Sequence, residues 1–204
     1  MLNTKTFSDG AAIRFGWEKM KEHLGFFIIM FLVMIGAAIL PMILGIFISE
    51  DYWYLSILLF LAYFVLATIM GVGFIQIVLD ITDGKKPVIA TLFTRWNVFF
   101  KYLGVMIVYG FVVYVGFFLL IFPGVIWSLK YWFAPLLVVD KGMGPIEAMK
   151  KSSEMTMGLK WDLLGFYSVT SVVNVIGMLC LYVGLVFTAP TTMIAMTKVY
   201  REVS

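Results

Sequence analysis

The 204-residue chain is 62% hydrophobic and 13% charged, with 15 lysine and arginine residues against 12 aspartate and glutamate residues. A soluble domain has about 45–50% apolar and about 25% charged residues, so a soluble core of this size cannot hide the apolar excess. The composition therefore excludes an ordinary soluble domain. It predicts an all-α, polytopic integral membrane protein as a single domain over 1–204, with no room for a separate soluble domain.

The segment 8–24 predicts an amphipathic helix that lies at the membrane surface, because apolar and charged residues alternate there at helical spacing. The apolar face of this helix carries Ile13, Trp17, Met20 and Leu24. The apolar run that follows is too long for the apolar stretch of a secretory signal. We therefore expect it to be a retained membrane span.

Apolar runs along the rest of the chain predict six membrane-spanning helices, arranged as three hairpins. A span needs about 20 apolar residues, and two uncharged stretches are far longer than that. We expect the first stretch to turn at Pro123-Gly124 and the second to turn between Leu181 and Pro190. The last pair of spans alternatively forms one long kinked helix. The predicted spans are about 26–49, 54–79, 102–122, 125–139, 162–181 and 185–200.

The distribution of lysine and arginine predicts the orientation of these spans. Under the six-span layout, 14 of the 15 basic residues fall on the side that carries both chain termini. The opposite turns carry only Glu50 and Asp51. An odd number of spans would misplace a basic cluster. We therefore expect a multi-pass protein of the cytoplasmic membrane with both termini in the cytoplasm.

Two further amphipathic segments, at about 87–100 and 145–158, precede the second and third hairpins. Each hairpin is thus preceded by a cytoplasmic interfacial helix, and an Asp-Gly or Asp-Lys-Gly sequence recurs at the start of these units. The recurrence indicates either a weak internal repeat or the amphipathic connectors that any polytopic protein contains. The apolar faces of the three helices either enter the headgroup region or pack on the transmembrane bundle.

The sequence carries no pattern typical of a catalytic, metal or nucleic-acid site. Phosphate-binding glycine loops, nucleophile elbows and His-Glu-x-x-His motifs are missing, and His23 and Cys180 are the only residues of their types. The predicted cytoplasmic side has 14 basic and 10 acidic residues, a surplus that fits anionic lipid and not a nucleic-acid track. We expect no enzyme activity, no cofactor, no metal and no nucleic-acid partner.

Lys130 is the only full charge inside a predicted span and away from the last residues at its ends, and intramembrane charges are costly and often functional. In one interpretation its side chain reaches the outer surface and pairs with Glu50 or Asp51. In the other it binds a substrate or a lipid phosphate in a cavity between the hairpins. Polar residues that could join such a cavity, or bond between helices instead, are Gln76, Asn174, Tyr63, Tyr109 and Tyr114.

Three stretches resemble a broad group of uncharacterised bacterial and archaeal polytopic membrane proteins. That group is similar to the membrane domain found with glycerophosphodiester phosphodiesterases. The stretches are IFPGVIWSLKYWFAPLLVVD, PIEAMKKSSEMTMGLKWDLLGF and VGLVFTAPTTMIAMTKVYRE, and the opening IRFGWEKMKEHLG is also similar. The resemblance implies six helices and a cytoplasmic-membrane location. It implies no phosphodiesterase activity, because the phosphodiesterase barrel is not part of this sequence.

Two functions from different classes follow from these patterns. The first is a non-enzymatic transport or lipid-handling component that uses a cavity near Lys130. The alternative is a scaffold or accessory subunit of a membrane complex that binds partners through its cytoplasmic helices. Membrane lipids are the expected partners in either case. Other membrane proteins, or further copies of the same chain, are the remaining candidates.

Overall fold

The computed structural model describes residues 7–48, 52–180 and 183–204, and these residues form helices without any strand. A short 3₁₀ turn at Trp96–Val98 separates the fourth helix from the fifth. The helices are α1 (Asp9–Glu22), α2 (Leu24–Ile46), α3 (Trp53–Thr82), α4 (Thr91–Thr94), α5 (Phe99–Leu119), α6 (Ile121–Lys130), α7 (Ala134–Lys141), α8 (Pro145–Met155), α9 (Lys160–Leu179) and α10 (Leu185–Val203). The predicted all-helical class is confirmed.

Five helical segments in the described part of the chain are long and apolar enough to cross a membrane. These segments are Leu24–Ile46, Trp53–Thr82, Trp96–Leu119, Ile121–Lys141 and Lys160–Leu179. The fourth segment combines α6 and α7. Helix α10 is not among the five, since Lys198, Arg201 and Glu202 fall near its end.

Helices α9 and α10 form an antiparallel hairpin, so the alternative of one kinked helix is wrong. The Asn174 side-chain amide donates a hydrogen bond to the Thr192 hydroxyl at 3.0 Å. Gly177, three residues further along α9, lies against Thr188 on α10, four residues before Thr192. Pro190, one of the predicted turn residues, lies inside α10.

Helices α5 and α6 form a second antiparallel hairpin, but the predicted turn at Pro123-Gly124 is wrong in position. The chain turns at Leu120, whose backbone is extended, and Pro123 falls in the first turn of α6. A proline is tolerated there because the first backbone N–H groups of a helix have no intrahelical partner. Gly124 serves packing instead, because a Cβ at this position would lie 2.5 Å from the Phe117 ring on α5.

The break between α6 and α7 is supported by two buried hydroxyl groups, that of Ser152 on α8 and that of Thr156 directly after α8. Ser152 Oγ donates to the Lys130 carbonyl at 3.0 Å and accepts from the Phe133 N–H at 3.2 Å. Thr156 Oγ1 also donates to the Lys130 carbonyl, at 3.1 Å. Backbone groups freed at a helix break need such partners in a nonaqueous environment. The segment predicted as the third interfacial helix therefore stabilises the interrupted span.

The segment predicted as one interfacial helix over 87–100 is divided in the structure. It contains α4 and the 3₁₀ turn, and its last two residues begin α5. The first part, α4, packs closely on α3: Gly73 has no side chain, and the backbone of Thr91 and Leu92 lies directly against it. Leu92 is fully buried there. The backbone leaves the helical conformation at Arg95, directly after α4.

Helix α3 passes through two different environments along its length. Its 30 residues span about 45 Å, whereas the hydrocarbon core of a bilayer is about 30 Å thick. Large apolar side chains from Trp53 to Phe64 are mostly exposed, as expected for a surface that faces lipid. Most side chains from Ile69 to Ile81 are buried, and α4, α7 and α10 are among the helices that pack on α3. The molecule thus has a lipid-exposed layer, which includes residues 53–64 of α3, and a closely packed layer. The closely packed layer consists of residues 69–81 of α3 together with α1, α4, α7 and α10, and we call it the compact layer.

Helix α1 packs on α10 rather than lying free at the surface. Its buried residues are Ala12, Gly16 and Met20, whereas Trp17 of the predicted apolar face is 44% exposed. Gly16 allows the contact, because a Cβ there would lie 3.1 Å from the Ala195 backbone nitrogen and closer still to the Thr191 carbonyl. The small residues Ala12 and Gly16 define the buried face together with Met20, whereas Trp17 does not belong to it.

We predict that Gly16→Ala destabilises the fold by about 1–3 kcal/mol, because the added methyl group meets the backbone of α10 and cannot be relieved by a rotamer change. Gly10→Ala is the matched control in the same helix, since nothing lies within 4 Å of its added Cβ. It should be neutral or stabilising by up to about 1 kcal/mol. Unfolding by SDS titration measures both, and equal stability of the two variants would contradict the close α1–α10 contact.

Candidate functional site

Arg201 joins the ends of three helices that are far apart in the sequence. Its guanidinium donates to both carboxylate oxygens of Asp83, at 2.9 and 2.8 Å, and to both oxygens of Asp140, at 2.7 and 2.9 Å. The exposed fraction of the side chain is 27% for Arg201, 28% for Asp83 and 14% for Asp140. Such bidentate, charge-assisted bonds are the strong form of an ion pair. We call Arg201, Asp83 and Asp140 the arginine clamp.

Glycines that follow the two aspartates end their helices and so aim both carboxylates at Arg201. Gly84 and Gly142 adopt left-handed backbone conformations, with φ of 76° and 64°. The Gly142 N–H bonds the Val138 carbonyl at 3.0 Å, which closes the end of α7. The recurring Asp-Gly and Asp-Lys-Gly sequences therefore have a structural meaning at the ends of α3 and α7.

Neighbouring polar groups extend the arginine clamp. The Tyr200 hydroxyl donates to Asp140 at 2.7 Å, and Lys85 contacts Asp80 at 3.3 Å. The pKa of Arg201 is raised, mainly by its hydrogen bonds with Asp140 and further by those with Asp83. Partial burial of the guanidinium opposes this rise. The guanidinium therefore stays charged at any working pH. Each charge has an opposite neighbour, so the arrangement is suited to joining helices.

Lys130 lies beside α8 and pairs with no carboxylate in the described part of the chain. Its ammonium lies over the Tyr131 ring, 5.2 Å from the centroid. The predicted partners Glu50 and Asp51 lie outside the described residues. Ser152 and Thr156 bond the Lys130 carbonyl, so Lys130 lies on the same side of the molecule as α8. The sequence predicted α8 on the cytoplasmic side and the Lys130 side chain at the outer surface, and these two predictions cannot both be correct.

The other predicted intramembrane polar residues are dispersed and do not gather around Lys130. Gln76 is buried on α3, where its amide nitrogen donates to Asp80 at 3.0 Å and its Oε1 has no partner. The Tyr109 hydroxyl donates to the Ser128 carbonyl at 3.3 Å. Tyr114 is 70% exposed on the surface of α5. Of the predicted set, Asn174 and Tyr63 line cavities, and the cavities at Tyr63 lie between α2 and α3, away from Asn174.

A cleft of about 420 Å³ lies between Trp132, α9 and α10. Asn174 lies 14 residues into α9, about 21 Å along the helix axis from Lys160. The residues that line the cleft are Trp132, Phe166, Tyr167, Thr170, Ser171, Asn174, Thr192, Met193 and Met196. We call this cavity the polar cleft, because it combines hydrogen-bonding groups with aromatic and methionine side chains.

The polar cleft retains hydrogen-bonding capacity that the protein does not use. An amide has two N–H donors and two acceptor sites, and Asn174 uses one N–H on Thr192. The single hydrogen of the Thr192 hydroxyl lies within reach of the Thr188 carbonyl at 3.0 Å and of the Asn174 oxygen at 3.4 Å, and the shorter bond to Thr188 leaves the Asn174 oxygen available. In the described residues, Ser171 makes no hydrogen bond through its hydroxyl. The arrangement can therefore hold a polar group of an otherwise apolar molecule.

The described residues offer no site for a metal ion, since no three His, Cys, Asp or Glu side chains are grouped suitably. The polar cleft likewise contains no ionisable side chain beyond Tyr167 and so no acid–base pair. Sequence reasoning identified Asn174 but missed Ser171, Thr192 and the arginine clamp. The Asp-Gly and Asp-Lys-Gly sequences mark the two aspartates of the clamp but give no signal for Arg201.

Comparisons with known proteins identify relatives without stating an activity. No family model matches the chain, and no solved structure matches it. An uncharacterized protein of Mycobacterium bovis and two uncharacterized proteins of Mycobacterium tuberculosis are each 32% identical over 158 residues. These matches cover 73% of this chain and 46% of each relative. The chain thus spans about half the length of the curated relatives it matches.

We predict that Arg201→Met destabilises the fold by up to about 3 kcal/mol, because it leaves two partly buried carboxylates without a partner. Arg201→Lys should be intermediate, since an ammonium cannot bond both carboxylates in the same forked geometry. Arg14→Met is the matched control: Arg14 pairs with Glu18 on α1 but is 81% exposed, so its loss costs under about 0.5 kcal/mol. SDS-titrated unfolding compares the three, and equal effects of R201M and R14M would contradict the clamp.

Proposed function

We propose that the chain is a non-enzymatic transport or lipid-handling component of the cytoplasmic membrane, and that its polar cleft binds an amphipathic molecule. The observation that carries this proposal is the unused hydrogen-bonding capacity of Asn174 and Ser171 within a cleft that is otherwise aromatic and apolar. Polar groups at the depth of the membrane are costly unless they serve packing or a ligand. An acyl lipid with a polar head has the matching chemistry.

The proposed topology has six spans, with α10 as the sixth and both termini in the cytoplasm. The α9–α10 hairpin supports it, because α9 is a candidate span and α10 returns along it. The arginine clamp supports it as well, since Arg201 near the end of α10 binds the ends of α3 and α7, which brings these three ends to one side. The likeness to the membrane domain found with glycerophosphodiester phosphodiesterases agrees with this layout.

A scaffold or accessory role is the second candidate function. It is supported by large exposed apolar side chains next to α4, namely Val88, Trp96 and Phe100, of which Phe100 is 81% exposed. A partner protein or the headgroup region would cover this surface. A scaffold would be isolated with a second protein chain, whereas a lipid-handling component would retain lipid.

We predict that Cys180, the only cysteine, reacts with a membrane-impermeant maleimide in intact cells, because it is exposed at the outer end of α9 in the proposed topology. In a Cys180→Ser background, Ser204→Cys should react only after the cells are permeabilised. Reaction of Ser204→Cys in intact cells would place the C-terminus outside and would contradict the sixth span.

We predict that the double variant Ser171→Ala/Asn174→Leu loses lipid that the wild type retains, because both substitutions remove hydrogen-bonding groups from the polar cleft. Native mass spectrometry of protein released from nanodiscs measures the number of lipids kept per chain. The fold should persist, since an interhelical hydrogen bond in a membrane contributes only about 0.6 kcal/mol on average.

Ser168→Ala is the matched control for this experiment. Ser168 lies on the exposed surface of α9, outside the cleft, and its hydroxyl bonds the Leu164 carbonyl at 2.8 Å. This variant should retain lipid as the wild type does. Unchanged lipid retention in the double variant, or an additional protein chain in the wild-type spectrum, would favour the scaffold role.

A further inference from the structure

A second cavity, distinct from the polar cleft, lies between α6 and α9. It is a groove of about 550 Å³ lined on the α9 side by Lys160, Trp161 and Leu164. The α6 side is lined by Ile121, Phe122, Val125, Ile126 and Leu129. These five positions form one helical face about 12 Å long. Apart from the indole N–H of Trp161, the ammonium of Lys160 is the only polar group on the side chains that line this groove. We call this cavity the α6–α9 groove.

The groove has a charged end and an open apolar end. Thr156 Oγ1 bonds the Lys130 carbonyl at 3.1 Å, and α9 begins only four residues later at Lys160. Lys160 therefore lies at the end of the groove that Leu129 lines. The other end is formed by Ile121 and Phe122, which are 72% and 81% exposed beside the α5–α6 turn.

Lys160 is available for an anionic ligand. It is exposed and forms no ion pair within the described residues. Asp162 is near in sequence, but side chains two residues apart do not face each other on a helix. Asp162 instead lies on the α1 side, where burial and then its negative charge raise the pKa of Asp9.

We propose that the α6–α9 groove binds an anionic membrane phospholipid, with an acyl chain along α6 and the phosphate on Lys160. The apolar wall matches an acyl chain, and the single cation at one end matches a headgroup phosphate. Trp161, which is 83% exposed beside Lys160, is the kind of residue that marks the headgroup level. Lysines at that level attract anionic lipids. This site is independent of the proposed function, because the groove and the polar cleft share no lining residue.

The test uses the full chain in nanodiscs of phosphatidylcholine with a minor fraction of phosphatidylglycerol, followed by native mass spectrometry of the released protein. The wild type should retain phosphatidylglycerol in preference to phosphatidylcholine. Lys160→Gln should lower this preference about fivefold, whereas Lys160→Arg should keep it. Ile126→Trp should lower retention of both lipids, because the larger ring occupies the groove.

Lys86→Gln is the matched control, since Lys86 is exposed, forms no ion pair in the described part of the chain and lies outside the groove. It should leave the preference unchanged. An equal loss in K86Q would show a general surface-charge effect and would overturn the proposal. So would an unchanged preference in K160Q, or equal retention of both lipids by the wild type. Thermal unfolding of each variant confirms that it is folded. The double variant Ser171→Ala/Asn174→Leu should keep the preference for phosphatidylglycerol, because its substitutions lie in the polar cleft and not in the groove.

Discussion

The bond between Arg201 and two aspartates is the interaction on which the arrangement of the helices depends. Asp83 ends α3, Asp140 ends α7 and Arg201 lies near the end of α10, so one guanidinium joins the ends of all three. Apolar helices in lipid gain little hydrophobic free energy from one another, so polar contacts and close packing decide which helices associate. The arginine clamp supplies such a polar contact at the rim of the compact layer, where partial exposure limits the desolvation cost.

Glycine contacts supply the close packing that accompanies the clamp. Gly16 brings α1 onto α10, and Gly73 brings the segment around Leu92 onto α3. Both contacts are made by elements of the compact layer. Helix α10 is thereby fixed on one side by α1 and at its end by the clamp, and the side of α10 that packs on α9 lines the polar cleft with Thr192. Stability of the compact layer and the shape of the cleft are thus linked through α10.

The lengths of the apolar runs in the sequence were sufficient to predict an all-helical protein, because the thickness of a bilayer sets the number of apolar residues in a helix that crosses it. They could not locate the turn at Leu120, since a proline is equally compatible with a turn and with the first turn of a helix. The clamp was also beyond sequence reasoning. Asp83 and Asp140 lie 118 and 61 residues from Arg201 in the sequence, and no local pattern distinguishes Arg201 from other basic residues at a helix end.

Photocrosslinking with a diazirine-bearing phospholipid, followed by peptide mapping, tests the central claim most directly, namely that the polar cleft binds an amphipathic molecule. Besides adducts in the α6–α9 groove, the account predicts adducts concentrated on the parts of α9 and α10 that carry Asn174 and Thr192, and their loss when unlabelled lipid competes. Adducts spread in proportion to exposed apolar surface, with the lipid-facing side chains of α2 and α3 labelled as strongly as the cleft, would contradict it.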